Sequence, residues 1–264
     1  MRTCALLLLL SLLLCGLPAC GNTQQTPTTE VVVFAAASLT QPLTRLGKDY
    51  MAEHPHVTLR FNFDSSGTLL TQIREGAVCD LFLSAGQKQM DALDSSETDQ
   101  MIRRETRTDL LENTVVLAVP PGNPGNIHSF SQLKERLEQG DLLLAMGGGD
   151  TPVGQYGEQV LAALGLSGKQ LEHSGCVTYG SNVKEMVVQL SEGTVDCGLI
   201  YATDALAAGL TVADTADAEM CGRVVYPAAL LTDAPQPEGA QDFLDYIAGE
   251  AGAEAFAAAG FLPL

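Results

Sequence analysis

An α/β fold in two lobes follows from three features of the sequence. Short apolar runs alternate with amphipathic ones along most of the chain, a pattern that calls for parallel strands joined by right-handed helical crossovers. A dense cluster of chain breakers, Pro120-Pro121-Gly122-Asn123-Pro124-Gly125, interrupts that series near its middle. The third feature is an internal echo. Ser65-Ser66-Gly67-Thr68 through Glu75-Gly76, followed by the run Asp80 to Ser84, matches Asn182-Val183-Lys184-Glu185 through Glu192-Gly193 and the run Cys197 to Tyr201 at a constant offset of 117 residues. Two such units facing each other would turn their strand ends and helix starts inward, where α/β folds hold ligands.

Taken in order, the first 19 residues read as an export signal, with Arg2 as a minimal positive region, an apolar core from Ala5 to Leu17 and a processing site at Leu17-Pro18-Ala19-Cys20. The apolar run is too short to cross a bilayer as a helix, which takes roughly 20 residues. Cys20 at the cut resembles the lipobox cysteine of bacterial lipoproteins, which carries the lipid anchor, and residues 20–30 form a polar tether rich in Thr and Gln.

Val31 to Phe34 is a fully apolar strand, the type found inside a sheet covered on both faces. A helix from Thr40 to Glu53 follows and stops at His54-Pro55. Val57 to Phe63 alternates apolar and polar residues as a strand with two unlike faces. Ser66-Gly67-Thr68 then opens a helix through Glu75, with Gly76 in the stop position, and Asp80 to Ser84 is the third strand. The charge-rich section Gln87 to Asp109 is expected to place one or two helices over this sheet, and Thr114 to Val119 is an apolar strand leading into the breaker cluster. Beyond it come a helix from Ser131 to Gln139, a strand from Leu142 to Met146, a turn from Gly147 to Pro152 and a helix from Gly154 to Leu164. A strand at Cys176 to Tyr179, a helix at Asn182 to Glu192 and a strand at Cys197 to Tyr201 complete the second series. Val224 to Leu231 reads as a return strand, with final helices at Ala240 to Ile247 and Ala251 to Ala258. The expected division is residues 31–116 plus 226–264 for lobe 1 and 117–225 for lobe 2.

Removing residues 1–19 takes away Arg2 and no acid, which leaves 13 basic against 32 acidic residues and a formal charge of −19. Nucleic acid is an unsuitable partner for such a surface, because binding it requires a basic face. An anionic ligand must instead be held by local dipoles. Of seven cysteines, Cys4, Cys15 and Cys20 fall in the leader or at its cut; Cys79, Cys176, Cys197 and Cys221 remain, either as buried thiols or with a structural disulfide among them. Their spacing carries no zinc pattern. No GxSxG elbow surrounds Ser66 or Ser181, and His54, His56, His128 and His173 are scattered over loop-like segments, so a secreted serine hydrolase is the weaker reading.

Four places join a strand-like run to a helix through a short Ser, Gly, Asn or Pro turn: Phe34-Ala-Ala-Ala-Ser38-Leu-Thr40, Ser65 to Thr68, Asp150-Thr151-Pro152-Val153-Gly154 and Ser181-Asn182-Val183. Helix starts carry unpaired N–H groups and the positive end of the dipole, so each favours an anion. We expect the four to converge on one small oxyanion.

At these residues the chain resembles the periplasmic molybdate-binding proteins that serve ATP-binding-cassette importers. The resemblance spans about Val31 to Phe261. It rests on Phe34 to Thr40, Ser65-Ser66-Gly67-Thr68-Leu69, Ala77 to Ala85, Pro152-Val153-Gly154 and Gly198-Leu-Ile-Tyr201-Ala-Thr-Asp204-Ala205. It implies the class II periplasmic-binding-protein fold with ligand in the cleft between lobes. It also implies a monomeric receptor that is not an enzyme, needs no cofactor, and delivers molybdate or tungstate to an ABC permease. Matched residue by residue, the oxyanion would be held by the hydroxyls of Ser38 and Ser66, the backbone N–H groups of Val153 and Val183, and the phenol of Tyr201, without a free cation. Another tetrahedral oxyanion, sulfate or phosphate, is the alternative ligand. Two departures stand out: Gly67 occupies a place where the family commonly has another Ser, and Asp64 sits beside the Ser pair, where an ionised carboxylate pointing inward would repel a dianion; it is expected instead to face solvent or to act as an Asx-type cap at the strand end.

Overall fold

The structure is a computed structural model that describes residues 29–94 and 100–264. The export signal, Cys20 and the tether up to residue 28 lie outside the described residues. Strand β1 (Thr29–Ala36) passes through a tight 3-10 turn (Ala37–Leu39) into helix α1 (Thr40–Glu53). Then come β2 (Val57–Asp64), α2 (Ser66–Arg74), β3 (Leu81–Leu83), α3 (Gln87–Ala92) and β4 (Thr108–Asn113). The middle of the chain forms β5 (Val115–Val119), α4 (Phe130–Gln139), β6 (Leu144–Gly147), α5 (Pro152–Ala163), α6 (Gly168–His173), β7 (Val177–Gly180) and α7 (Val183–Glu192). It continues with β8 (Cys197–Tyr201), α8 (Ala202–Ala208), β9 (Thr211–Thr215) and α9 (Ala218–Cys221). The last part is β10 (Val224–Leu230), α10 (Pro237–Ala248), α11 (Glu250–Ala258) and β11 (Leu262–Pro263).

The strands form two sheets, in the orders β11-β4-β10-β3-β1-β2 and β7-β6-β8-β5-β9. Each contains a parallel trio whose first strand is central, β2-β1-β3 in one and β7-β6-β8 in the other. Antiparallel strands extend each trio, β10 beside β3 and β5 beside β8, so both sheets are mixed. The parallel character expected from the sequence is confined to the trios. That is the half that matters for ligand, since parallel strands all end on the same side and feed helix starts there.

Patterning explains why these segments take these places. On α1, Leu43, Leu46 and Tyr50 recur on one face and are buried, continuing the buried Leu39 of the preceding turn. Each such side chain contributes roughly 1.5–3 kcal/mol on burial. Helix α7 buries Val183, Met186 and Leu190 at the same helical spacing. Strands β5 and β10 are buried along their whole length, which matches their continuous apolar runs.

The echo is a repeat of topology. Helix α2 begins at Ser66 and α7 at Val183, and each lies between the outer and the third strand of its trio. Gly76 and Gly193, at φ +89° and +66°, end the two helices in left-handed conformation.

Two features differ from expectation. Strand β5 pairs with β8 from Val115 onward, so the chain leaves the first sheet at Thr114 rather than after residue 116, and it returns at Val224. The breaker cluster turns β5 into α4 within the second lobe; Asn123 there takes φ +47° and braces Ile127 with both ends of its amide. The described residues of the Gln87 to Asp109 section include one α-helix, α3, in keeping with the expectation, and a 3-10 turn at Arg104–Thr106. It runs into a strand, β4, that buries Leu110, Leu111 and Asn113 without regular alternation.

The four body cysteines are free and buried. Burial pushes the thiols of Cys79 and Cys197 up, which removes thiolate character. Among the described residues no helix is long and apolar enough to cross a membrane.

Candidate functional site

A small cavity lies where the two parallel trios face each other, and Ser38, Ser66, Val153, Val183 and Tyr201 all line it. The five come from five elements. Ser38 sits in the 3-10 turn after β1, Ser66 is the first residue of α2, Val153 the second of α5, Val183 the first of α7, and Tyr201 the last of β8.

Neither serine caps a helix. Ser65 caps α2, accepting the Gly67 N–H at 3.2 Å, while the Ser66 oxygen accepts the Ala85 N–H at 2.9 Å. Ser38 lies 3.0 Å from the phenol oxygen of Tyr226. Both hydroxyls are buried and held by protein partners. On the other lobe the caps are Thr151, whose hydroxyl accepts the Gly154 N–H at 3.0 Å, and Asn182, whose Oδ1 accepts from Lys184 at 3.0 Å and Glu185 at 3.3 Å. These caps use later N–H groups and leave those of Val153 and Val183, which make no backbone hydrogen bond outside their helices and stand too early in them to make one inside. Pro152 at the start of α5 has no N–H to lose.

Tyr201 completes the set. Its phenol is buried and has no hydrogen-bond partner, an expensive state for a hydroxyl unless a ligand supplies the acceptor. Burial, together with the neighbouring Tyr226, Tyr156 and Asp204, holds its ionisation well above the usual range, so it stays a proton donor.

The electrostatics are local. No Lys or Arg is among the cavity-lining residues. Lys184, one residue beyond Val183, is committed to Asp204 Oδ1 at 2.6 Å. Asp204 sits in the first turn of α8 and caps nothing; burial raises its pKa while Lys184 pulls it down, with burial prevailing. Asp64 does line the cavity, but its Oδ1 accepts the Ser65 N–H at 2.7 Å and the Asn182 amide across the cleft at 3.3 Å. It caps the strand end and bridges the lobes rather than facing solvent, so the cavity edge carries one carboxylate whose repulsion of an anion the surrounding donors must outweigh. The four histidines stay apart from the site; His54 stacks on Tyr50 at 4.2 Å between ring centroids. Among the described residues no cluster of His, Cys, Asp or Glu is arranged to hold a metal cation.

The arrangement presents hydroxyl and N–H donors from both lobes and reinforces them with the starts of α2, α5 and α7. Dipole effects at a helix start contribute roughly 0.3–1 kcal/mol each, and a hydrogen bond to a charged group about 1.5–3 kcal/mol. A small acceptor-only anion suits such a cage; a cation does not.

The family model described as bacterial extracellular solute-binding protein matches residues 31–262. The chain belongs to the bacterial extracellular solute-binding proteins. Among members of this family, a Bacillus subtilis protein named as a candidate ABC transporter substrate-binding lipoprotein, YvgL, is 31% identical over 248 residues, 92% of this chain and 91% of the relative. The molybdate-binding protein ModA of Mycobacterium bovis is 30% identical over 260 residues, 95% and 94% of the two chains. The solved periplasmic molybdate-binding protein of Azotobacter vinelandii superposes with a TM-score of 0.75 at 21% identity, over 88% of this chain and 98% of that one. At that identity the superposition speaks for the fold alone: a two-lobed α/β solute-binding architecture.

Sequence reasoning did not single out Asn113, Thr203 and Tyr226, which stand behind Ser38. Tyr226 lies in a run that otherwise reads as a plain buried strand, and only the tertiary pairing of β10 brings its hydroxyl to the site.

Proposed function

We propose that this solute-binding protein captures molybdate, and tungstate as a second ligand of the same shape, between its lobes. It would hand the anion to an ABC permease, staying at the outer face of the membrane through a lipid on Cys20. The observation that carries the reading is the buried phenol of Tyr201 without a partner, in a cavity that otherwise offers the hydroxyls of Ser38 and Ser66 and the free N–H groups of Val153 and Val183. The molybdate-binding name of the Mycobacterium bovis relative supports the choice of anion.

Donors on both lobes give the mechanism. An anion touching only Ser38 and Ser66 engages two of the five donors, and the other three are engaged when Val153, Val183 and Tyr201 close on it. The ligand therefore favours the closed arrangement by its extra contacts there, and closure is what a permease can read. No bond is made or broken, so the protein works as a monomeric carrier without cofactor.

The test is thermal unfolding of the chain from residue 21 onward with molybdate, tungstate, sulfate and phosphate added separately at equal ionic strength. A ligand present at 100 times its dissociation constant adds about 2.7 kcal/mol, a plain shift in midpoint. Stabilisation by molybdate and tungstate alone is expected; stabilisation by sulfate or phosphate instead would replace the ligand, and no response to any of them would remove the oxyanion reading.

Tyr201→Phe gives a sharper expectation because its effects on stability and binding run in opposite directions. Removing a buried hydroxyl that has no partner should leave the ligand-free protein as stable as before or about 1 kcal/mol more stable. Molybdate affinity should fall about tenfold or more. Calorimetric titration and thermal unfolding of the same variant check both halves.

A further inference from the structure

Behind Ser38 lies a chain of hydrogen bonds whose direction follows from counting protons. The backbone N–H of Thr114 donates to Asn113 Oδ1 at 2.8 Å. That bond fixes the amide orientation, since a flipped Asn113 would set its NH2 group against another donor. The Nδ2 group then faces two hydroxyls and donates one hydrogen to Thr203 Oγ1 at 2.9 Å and the other to the Tyr226 phenol oxygen at 3.1 Å. Asn113, Thr203 and Tyr226 are all buried.

The Tyr226 phenol, having accepted from Asn113, has its own proton left to place: Ser38 Oγ lies at 3.0 Å, whereas the neighbouring Tyr201 phenol makes no hydrogen bond to it. Burial keeps this phenol far from ionising, so the proton is present. If Ser38 donated to Tyr226 instead, the Tyr226 proton would be buried without an acceptor, which costs about 1–3 kcal/mol. The proton count therefore runs from Asn113 to Tyr226 to Ser38, and the Ser38 hydroxyl hydrogen is left for the cavity. Ser66 is set the same way, its oxygen engaged by the Ala85 N–H and its hydrogen free.

Resting on the oxyanion reading above, we infer that Asn113 and Tyr226 are positioning residues that make Ser38 a donor and thereby exclude oxyanions carrying a proton. With Ser38, Ser66, Tyr201 and two backbone N–H groups all donating, a protonated ligand oxygen finds a hydrogen where it needs a lone pair. Hydrogen phosphate and sulfate are both tetrahedral dianions of similar size, and the proton is what separates them. The network also lies at the crossing between sheets: Asn113 ends β4, Thr203 belongs to α8, and Thr114, where the chain passes from one sheet to the other, supplies the bond that orients the amide.

The measurement is displacement of bound molybdate by sulfate and by hydrogen phosphate, each raised to concentrations far above those of the unfolding test so that weak competition is read, at pH 8, in the wild type, Tyr226→Phe and Asn113→Asp. Tyr226→Phe keeps the ring that packs edge-on against Tyr201 at 5.8 Å and Phe261 at 5.4 Å and removes only the hydroxyl. Ser38 is then free to turn and accept, and the preference for sulfate over hydrogen phosphate should narrow about tenfold. Asn113→Asp keeps the acceptor for Thr114 and removes the donor, so Tyr226 must give its proton to the carboxylate and take one from Ser38. The added charge weakens both anions, yet the preference should narrow further or invert. A merely structural role would weaken both anions together, so an unchanged ratio in the variants that fold, or hydrogen phosphate undetected throughout, overturns the assignment. A wild type that binds no tetrahedral oxyanion takes the oxyanion reading down as well; a wild type that binds molybdate while the ratio stays fixed overturns the positioning role alone.

Discussion

Replacing Ser38 and Ser66 together by Ala is expected to weaken molybdate binding by roughly a hundredfold to ten-thousandfold, the worth of two hydrogen bonds to a charged group at about 1.5–3 kcal/mol each. Both hydroxyls line the cavity; the Ser66 oxygen is occupied by the Ala85 N–H and the Ser38 oxygen, on the proton count above, by the Tyr226 phenol, so what they offer a ligand is a hydrogen. The substitutions also carry a stability cost. Ser66→Ala leaves the Ala85 N–H without its acceptor, and Ser38→Ala does the same to the Tyr226 phenol, each worth about 1–3 kcal/mol where nothing replaces the partner. Calorimetry on the folded double variant, with its ligand-free unfolding recorded alongside, separates the two effects. Affinity within threefold of wild type would remove the site assignment.

Gly67→Ala should act on closure. A Cβ at residue 67 would fall inside the van der Waals envelope of the Asp150 carbonyl oxygen, which belongs to the turn before α5 on the opposite lobe. That oxygen is backbone and has little freedom to yield. Gly67 itself is buried in the first turn of α2, so the two lobes meet here with no side chain between them. With Ala in place the closed arrangement is opposed while each lobe keeps its own core. The expected result is molybdate binding weakened about tenfold or more, since affinity falls with the fraction of binding-competent protein. Small-angle scattering at saturating molybdate should show a larger radius of gyration than for the closed wild type. Wild-type affinity and an unchanged radius would show that the approach of Gly67 to Asp150 is not needed for binding. The family's more common Ser at this place, implied by the sequence resemblance, makes the same substitution to Ser an informative companion.

What the sequence made legible divides along physical lines. Strands with continuous apolar runs, β1, β5, β8 and β10, and helices with a full buried stripe, α1 and α7, stand where patterning placed them. In both, burial of side chains outweighs every other term. The offset between Ser66 and Val183 located two helix starts within one residue, because caps and glycine stops are local chemistry. By contrast, β4 buries Leu110, Leu111 and Asn113 with no alternation, and β9, mostly exposed at a sheet edge, has no apolar signature. Such strands exist by virtue of their neighbours. Thr114 as the crossing point was hidden for a related reason: breaker residues mark turns, but a chain can pass between lobes on a single extended residue. The cavity residues could be nominated because hydroxyl, Gly and Pro punctuation is visible at helix starts. The Asn113 to Tyr226 network was not, since nothing in a buried strand reveals where one phenol will point.

The most direct test is a crystal structure of the protein with molybdate, with the metal located by its anomalous scattering. One molybdenum peak is expected in the cavity between the lobes, with its oxygens within hydrogen-bond distance of the Ser38, Ser66 and Tyr201 hydroxyls and the N–H groups of Val153 and Val183. A peak elsewhere on the molecule, or an anion in the cavity that leaves the Tyr201 phenol without a partner, would contradict the account.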